Sequence, residues 1–407
     1  MKERTVFALD LGTSKVACLA VGGREEGRLD VRGGASIACQ GLYRGVIVDV
    51  GETASAIDAA VRKTAQMTGT EPDELVVSIS GSHLETQIGQ GLVPIFPRTR
   101  PIGREDVLQV IKHSRQTMPP AGREIVQAIP REFRIDGQRG IHRPIGMHGD
   151  NLEVMTHIVT GLAEHVRHVE EAVASAGYKV GQMVASPVAS GLAVASQANV
   201  EGGCCVLDIG AGVTDMAVFL DGAIAYSVSY PVGGNLITSD LQKLLKTTFE
   251  EAERLKLEAG TAWAAGIDDD ESVDVLQVGQ TSARPLQRKV LSEIIESRMR
   301  EIATIAQRLI VEGGYDEALN EGVLITGGTS LLPATTTLFD SVFGPMKSRQ
   351  LRPLVGGAFA DVASPPTMAT AAGLARYALQ DDDEEIAPAV TSGSWKERIR
   401  TLFSGKA

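Results

Sequence analysis

Apolar positions along this chain fall into two kinds of pattern. In the first, a short apolar run ends in an aspartate, turns over glycine and small polar residues, and resumes as a second apolar run. VFALDLGTSKVACLAVGG, from Val6, has this form around Asp10, and CCVLDIGAGVTDMAVFLDG, from Cys204, repeats it around Asp208. Each predicts a strand, a tight turn and a second strand, and their likeness predicts a duplication with one hairpin per half. A third run, VLITGGTSLLP from Val323, predicts a buried strand that ends in Gly327, Gly328, Thr329 and Ser330 and opens a helix. The second pattern is helical. After the Gly-Gly of YPVGGNLITSDLQKLL, residues Leu236, Ile237, Leu241, Leu244 and Leu245 recur at helical spacing. In EDVLQVIKHSRQTM, Val107, Val110 and Ile111 share one side, between loop-forming segments rich in Gly, Pro and Arg. In SWKERIRTLFSGKA, Trp395, Ile399, Leu402 and Phe403 fall on one helical face.

Composition narrows the setting. A chain of 407 residues is expected to form more than one domain, and with aromatics at 4% its cores must be built from Val, Ile, Leu and Ala. A net charge of -12 argues against a general nucleic-acid binder, so no nucleic-acid partner is expected. The cysteines Cys18, Cys39, Cys204 and Cys205 show no CxxC spacing, which favours a reduced, cytosolic setting over disulfides or a zinc site. MKERTVFALD carries no long apolar segment, and no run reaches the roughly 20 residues that span a bilayer. The expectation is a cytoplasmic protein whose membrane contact, if any, is peripheral. The histidines add no metal site. His142, His148 and His157 are loosely spaced, and His165 and His168 lie at i, i+3 without a third ligand.

The terminal segment changes that picture. Lys396, Arg398 and Arg400 occupy the faces that the apolar residues leave, and Ser394 is placed as an N-cap. A short basic amphipathic helix of this kind lies in the interface of an anionic membrane. Each large apolar side chain contributes ~1.5–3 kcal/mol gross when fully buried. Ordering the helix offsets much of this at about 1 kcal/mol or more per residue. One tail should bind weakly and reversibly, and many joined copies firmly. The preceding QDDDEEIAPAVTSGS predicts a disordered linker. The alternative is docking on the chain's own domains or on a partner.

The chemistry of the two hairpins is specific. Small turn residues let backbone N–H groups converge into an anion nest. Asp10 and Asp208 cannot bind phosphate themselves, but each can hold magnesium, usually through water, and the ion neutralises phosphate. Two facing hairpins would clamp a nucleotide tail. A lone Asp-x-Gly turn carries no such meaning; the matched pair does.

This set resembles the actin, Hsp70 and sugar-kinase superfamily, whose members are α/β proteins with two ribonuclease-H-like lobes and ATP in the cleft between them. The resemblance implies phosphate loops at Asp10, Gly12, Thr13, Ser14 and Lys15 and at Asp208, Gly210, Ala211, Gly212 and Thr214. It implies nucleoside contacts from Gly233, Gly234 and Asn235 and from Gly327, Gly328, Thr329 and Ser330. Glu253 and Lys256, at i, i+3 in EEAERLKLEAG, would border the nucleoside; a surface ion pair is the alternative. SPVASGLAVAS from Ser186 and TMATAAGLARYAL from Thr367 would be the two closely crossing hinge helices.

SISGSHLETQIGQGLVPI from Ser78 and IPREFRIDGQRGIHRPIGMHGDNLEVMTHIVTG from Ile129 narrow the resemblance to the bacterial FtsA cell-division family. It extends over nearly the whole chain. The implied order is subdomain 1A over 1–81, an inserted 1C over 82–160, 1A again over 161–200, and 2A over 201–235. Subdomain 2B follows over 236–319, then 2A over 320–353, a 1A return helix over 354–380, the linker 381–393 and the membrane-targeting helix 394–407. The family implies ATP and magnesium, filaments of the protein itself and recruitment of later division proteins. It also implies binding of the FtsZ C-terminal peptide, and Arg298 and Arg300 in LQRKVLSEIIESRMREIATIAQRLI would meet that peptide's acidic groups. Pairing of these arginines with Glu296 and Glu301 is the alternative. Aligned on Pro187, the residue where Hsp70 proteins carry a glutamate is Ser186, a poor general base, so at most slow ATP hydrolysis is expected. Asp215 remains a polar group near the phosphates without an assigned catalytic role. A pilus-assembly adaptor, or a kinase or phosphatase of the same superfamily, is the alternative function.

Overall fold

The computed structural model describes residues 5–25, 27–116 and 119–379; the expected linker and terminal helix over 381–407 lie outside them. The apolar run around Asp10 forms β1 (Val6–Leu11) and β2 (Lys15–Glu25), and β3 (Arg28–Ala38) extends the antiparallel meander. The short hairpin β4 (Leu42–Tyr43) and β5 (Val46–Ile47) leads into α1 (Val50–Thr68). Asp49 caps α1 by accepting the Glu52 N–H, and Gly69, at φ 65°, supplies the left-handed residue that ends it. The chain then returns as β6 (Leu75–Ile79), parallel to β1.

An insertion follows, made of β7 (Glu85–Pro94), α2 (Arg104–Ser114), β8 (Arg123–Ile135), β9 (Gln138–Ile141) and β10 (Asn151–Leu162). Its four strands pair in the order β7-β10-β8-β9. Its own apolar cluster includes Val107, Val110 and Ile111 of α2, the face expected from their spacing. The first lobe resumes with α3 (Ala163–Ser175), β11 (Val180–Ala185), α4 (Ser186–Val194) and α5 (Gln197–Gly202).

The second lobe repeats the first. Strands β12 (Cys204–Ile209), β13 (Thr214–Leu220) and β14 (Ala223–Tyr230) form a meander. Helices α6 (Gly234–Leu245) and α7 (Phe249–Ala259), the hairpin β15 (Ser272–Val275) and β16 (Arg284–Gln287), and α8 (Arg288–Glu312) come next. After them β17 (Val323–Thr326), α9 (Thr335–Phe343) and β18 (Ser348–Gln350) complete the sheet. Its order, β14-β13-β12-β17-β18, matches β3-β2-β1-β6-β11 of the first lobe strand for strand. In both, the strand bearing the aspartate pairs antiparallel with its hairpin partner and parallel with the crossover strand. The chain returns to the first lobe through β19 (Val355–Gly356), α10 (Ala360–Ala363) and α11 (Ala369–Leu379).

Helices α4 and α11 cross where the lobes meet. A Cβ on Gly373 would stand 1.7 Å from the Ala189 carbonyl oxygen, so only glycine permits the approach. Two expectations need correction. The strand ending at Gly327 does not open a helix directly: a single 3-10 turn, Thr329–Leu331, intervenes and α9 begins at Thr335. Pro333 holds Leu332 extended, which the residue before a proline favours. On α6 the buried stripe is Ile237, Leu241 and Leu245, four residues apart each time; Leu244 falls off it and is 65% exposed.

Candidate functional site

The two hairpin turns close in the same way. The Gly12 N–H donates to the Lys15 carbonyl at 3.0 Å, and the Gly210 N–H to the Val213 carbonyl at 3.0 Å. They meet across the interlobe cleft: a Cβ on Gly212 would lie 2.3 Å from Thr13 Oγ1. The start of α6 braces the second turn, since the Gly234 and Asn235 N–H groups donate to the Gly210 and Ala211 carbonyls at 2.9 and 2.7 Å. Thr329 Oγ1 also donates to the Gly210 carbonyl, at 2.9 Å. Gly234 and Asn235, in the first turn of α6, line the cleft, so the positive end of the α6 dipole lies beside it, where it favours an anion.

The cleft has a volume of about 400 Å³, the size of a small-ligand site. Sixteen of the residues expected to bind nucleotide line it: Asp10, Gly12, Thr13, Ser14 and Lys15; Asp208, Gly210, Ala211 and Gly212; Gly234, Asn235, Glu253 and Lys256; and Gly327, Gly328 and Thr329. Three others stand behind the lining. Thr214 donates its hydroxyl to the Val232 carbonyl at 2.8 Å, and Ser330 donates to the Gly327 carbonyl at 2.7 Å. Gly233 lies against the Gly210 and Ala211 carbonyls, where a Cβ would come within 2.8 and 2.7 Å.

Three carboxylates and one lysine dominate the electrostatics. Burial raises the Asp10 pKa, with Lys15 and a hydrogen bond from Ser78 Oγ (3.0 Å) opposing it. Asp208 is pushed up to about 8, first by burial and then by the neighbouring charges of Asp215 and Asp10. Burial takes Asp215 to about 7, although Ser229 and Ser80 both donate to it. Lys15 is lowered by burial, and the pull of Asp10 and Asp208 only partly restores it. Clustered acids under this repulsion suit a hydrated divalent cation. Among the described residues no three His, Cys, Asp or Glu side chains converge to hold a metal directly.

Lys256 is not the surface partner that the alternative reading describes. Its side chain is 7% exposed, and its ammonium lies 2.6 Å from Glu253 Oε2 and donates to Thr238 Oγ1 at 2.9 Å. Burial lowers its pKa, and Glu253 opposes that shift.

The cleft also contains groups that the motif reading passed over. Ser80 lines it and donates to Asp215, and Thr370 of α11 lines it and donates to Asp208 Oδ2 at 3.0 Å. Ser78 of β6 and Ser80, the residue just past its end, are two apart, the spacing that puts side chains on one side of an extended chain, and that periodicity was the available signal. Ser186 lines the cleft and donates to the Ile79 carbonyl at 3.3 Å.

The arginines expected to meet a partner peptide are already engaged. Arg298 Nη2 lies 2.7 Å from Asp240 Oδ2 and the same guanidinium bonds Glu301. Arg300 pairs with Glu296 at 2.8 Å and sits over the Trp263 ring. Among the histidines, His142 and His148 are exposed, while His157 is buried and contacts Ser227 Oγ at 2.9 Å. The four cysteines are free and buried, and no described helix is long and apolar enough to cross a membrane.

Comparison with known proteins places this geometry. The family model of the cell division protein FtsA matches residues 205–373, and that of the SHS2 domain inserted in FTSA matches 81–160. The chain is 30% identical to the cell division protein FtsA of Pseudomonas aeruginosa, over 96% of this chain and 93% of that protein. It is 32% identical to that of Neisseria meningitidis serogroup B, over 93% and 91%. Identity to that of Escherichia coli K12 is 29%, over 98% and 97%. Among solved structures, a PilM-PilN type IV pilus biogenesis complex superposes with a TM-score of 0.66 at 17% identity, over 93% of this chain and 99% of the matched one. MreB 5 of Spiroplasma citri bound to AMPPNP gives 0.57 at 12% identity, over 99% and 100%. These two likenesses concern the fold. Identity of this extent over almost the full length, on a duplicated two-lobed frame with the characteristic insertion, makes the chain a member of the actin-like FtsA family of cell-division proteins.

Proposed function

We propose that this chain binds ATP with magnesium between its lobes and polymerises on the inner face of the cytoplasmic membrane. There it anchors the FtsZ ring through its C-terminal amphipathic helix and helps recruit later division proteins. The observation that carries the nucleotide reading is the convergence of both aspartate hairpins, the Glu253–Lys256 pair and the Gly327 turn on one cavity. Magnesium, when bound, neutralises phosphate charge; Asp10 and Asp208 would orient its water shell, and Lys15 would meet the phosphates directly. Glu253 and Lys256 would border the ribose and base. A solved relative in fold, MreB5 of Spiroplasma citri, is bound to ADP, which supports the same use of the cleft here.

A scaffold role, with slow turnover at most, fits the groups around the phosphate end. Ser186 is a weak base already committed to a backbone carbonyl, and Asp215 is held by two serines. The membrane reading rests on the sequence of 394–407, and the peptide reading on Arg298 and Arg300, whose carboxylate partners an acidic peptide would have to displace. Calorimetry with Mg·ATP tests the first proposal: a saturable heat supports it and none refutes it. Removal of the residues after Asp383 should abolish sedimentation with anionic vesicles while leaving that heat intact; retained sedimentation would sink the tether. The charge reversal Arg298→Glu should weaken titration of an FtsZ C-terminal peptide and leave Mg·ATP binding unchanged.

A further inference from the structure

A line of polar side chains joins the cleft to the inserted sheet. Ser80, just past β6, donates its hydroxyl to both carboxylate oxygens of Asp215, at 2.9 and 3.1 Å. Ser229 of β14 donates to the same carboxylate. Two residues earlier, on the same face of β14, Ser227 contacts Nε2 of His157 at 2.9 Å. His157 belongs to β10 of the insertion and is 1% exposed. Burial and the nearby Arg131 hold its pKa down at about 3, so the ring is neutral.

The other end of Ser80 leads to the root of the same sheet. His83 Nε2–H donates to the Ser80 carbonyl at 3.1 Å, and its Nδ1 accepts the Leu162 N–H at 3.4 Å. A single neutral tautomer satisfies both bonds. His83 thus ties the strand that leads into the insertion to the strand that leaves it. Arg123 reinforces the tie, donating to the carbonyls of His83 and Thr160. The inserted sheet is covalently part of the first lobe, yet β7, β8 and β10 pack on β14 of the second. Its seating depends on both lobes.

We infer that Ser80 senses the phosphate end of a bound nucleotide and transmits its presence to the inserted sheet, which shifts against β14. The inference rests on the nucleotide reading above. Its physical core is a proton count. A hydroxyl has one proton to donate; Asp215 takes it in the free protein, and Ser80 lines the cleft in which a phosphate would compete for it. Loss of the Ser80–Asp215 bond removes a tie between the root of the insertion and the second lobe. The Ser227–His157 contact and the packing of β7, β8 and β10 on β14 then carry the seating. This gives the insertion two arrangements with different contacts, the condition that coupling between distant sites requires.

Amide hydrogen exchange on the full chain, with and without saturating Mg·ATP, tests this. In the wild type, the turns at 12–15 and 210–214 should gain protection, while segments 81–85 and 155–162 should exchange at least about threefold faster. Ser80→Ala, at Mg·ATP concentrations shown to saturate it, should keep the first effect and lose the second. Ser227→Ala, which lies outside the cleft lining, keeps the Ser80–Asp215 bond but loses the contact to His157, so 81–85 and 155–162 should exchange faster than in the wild type without nucleotide and faster again with it. Protected turns with an unresponsive insertion in the wild type would overturn the inference and leave nucleotide binding standing. So would full transmission in Ser80→Ala. Turns that gain no protection, together with no calorimetric heat, would remove the nucleotide reading and the inference with it.

Discussion

Replacing Asp208 with asparagine should stabilise the ligand-free protein at neutral pH while impairing its response to Mg·ATP. In the unfolded chain this carboxyl ionises near 3.8; in the fold it keeps its proton up to about 8. Between those values the folded state holds a proton that the unfolded state has released, so wild-type stability falls as pH rises and levels off above about 8. One pKa unit corresponds to about 1.4 kcal/mol, so the difference between 3.8 and pH 7 bounds the penalty at about 4 kcal/mol. Asp215 and Asp10 share the repulsion, so removing one member should recover on the order of 2–4 kcal/mol. Asparagine is nearly isosteric and keeps an oxygen to accept the Thr370 hydroxyl, so little packing is lost. For a chain of this size, the gain corresponds to a rise in melting temperature of about 2–5 °C at pH 7. The assay is thermal unfolding without nucleotide from pH 4 to pH 8. The increment should be near zero at pH 4 and grow through pH 7. Adding Mg·ATP should raise the melting temperature of the wild type more than that of the variant. A variant less stable than wild type at pH 7, or an increment independent of pH, would refute the reasoning.

Three further outcomes follow from particular contacts. Gly212→Val places a branched side chain where a Cβ would already stand 2.3 Å from Thr13 Oγ1; at about 1–3 kcal/mol of overpacking, Mg·ATP affinity by calorimetry should fall about 5- to 150-fold, and an unchanged affinity would mean that the turns do not close on the ligand. Lys256→Met leaves Glu253 bonded to Thr238 but without its buried cation; because that carboxylate is partly exposed, the stability loss should be modest, about 1–2 kcal/mol, with a larger effect on nucleotide affinity. Gly373→Leu cannot be accommodated beside the Ala189 carbonyl and should cost more than about 3 kcal/mol, read as a lower denaturation midpoint.

Much of the cleft was legible in the sequence because its signals are local. A strand that ends in aspartate and turns over glycine announces itself within a dozen residues, and the second copy, around Asp208, gives the first its meaning. The face of α2 and the stripe of α6 were equally local, although the spacing did not separate Leu244 from Leu245. Ser80 and Thr370 were overlooked because their partners, Asp215 and Asp208, lie more than a hundred residues away. A serine at the end of a strand looks the same whether it faces solvent or a buried carboxylate. Lys256 was undecided for a related reason: i, i+3 spacing to Glu253 fits an exposed pair and a buried one, and the packing of α6 on α7 decides between them. The contact of the inserted sheet with β14 has no local signature, since it joins faces of two sheets folded from distant segments.

The arrangement of cores explains why a ligand in this cleft must act on the whole molecule. Each lobe has its own large apolar cluster, and that of the first lobe reaches one face of the second sheet through α4. Because that cluster spans both lobes, a relative motion of the lobes would be least disruptive about the α4–α11 crossing, where Gly373 leaves no room to slide. Rotation about that crossing would open or close the gap between the Thr13 and Gly212 turns. Under the proposed nucleotide reading, a ligand held by both turns, by Lys256 on α7 and by the Gly327 turn would crosslink the lobes, and its differential contacts in two arrangements would set how far the equilibrium shifts. Helix α11 carries Thr370, which bonds Asp208, so the carboxylate pushed up to about 8 is tied to α11. Under the proposed reading, a change in the protonation or metal contact of Asp208 would therefore act on the helix about which the lobes would turn.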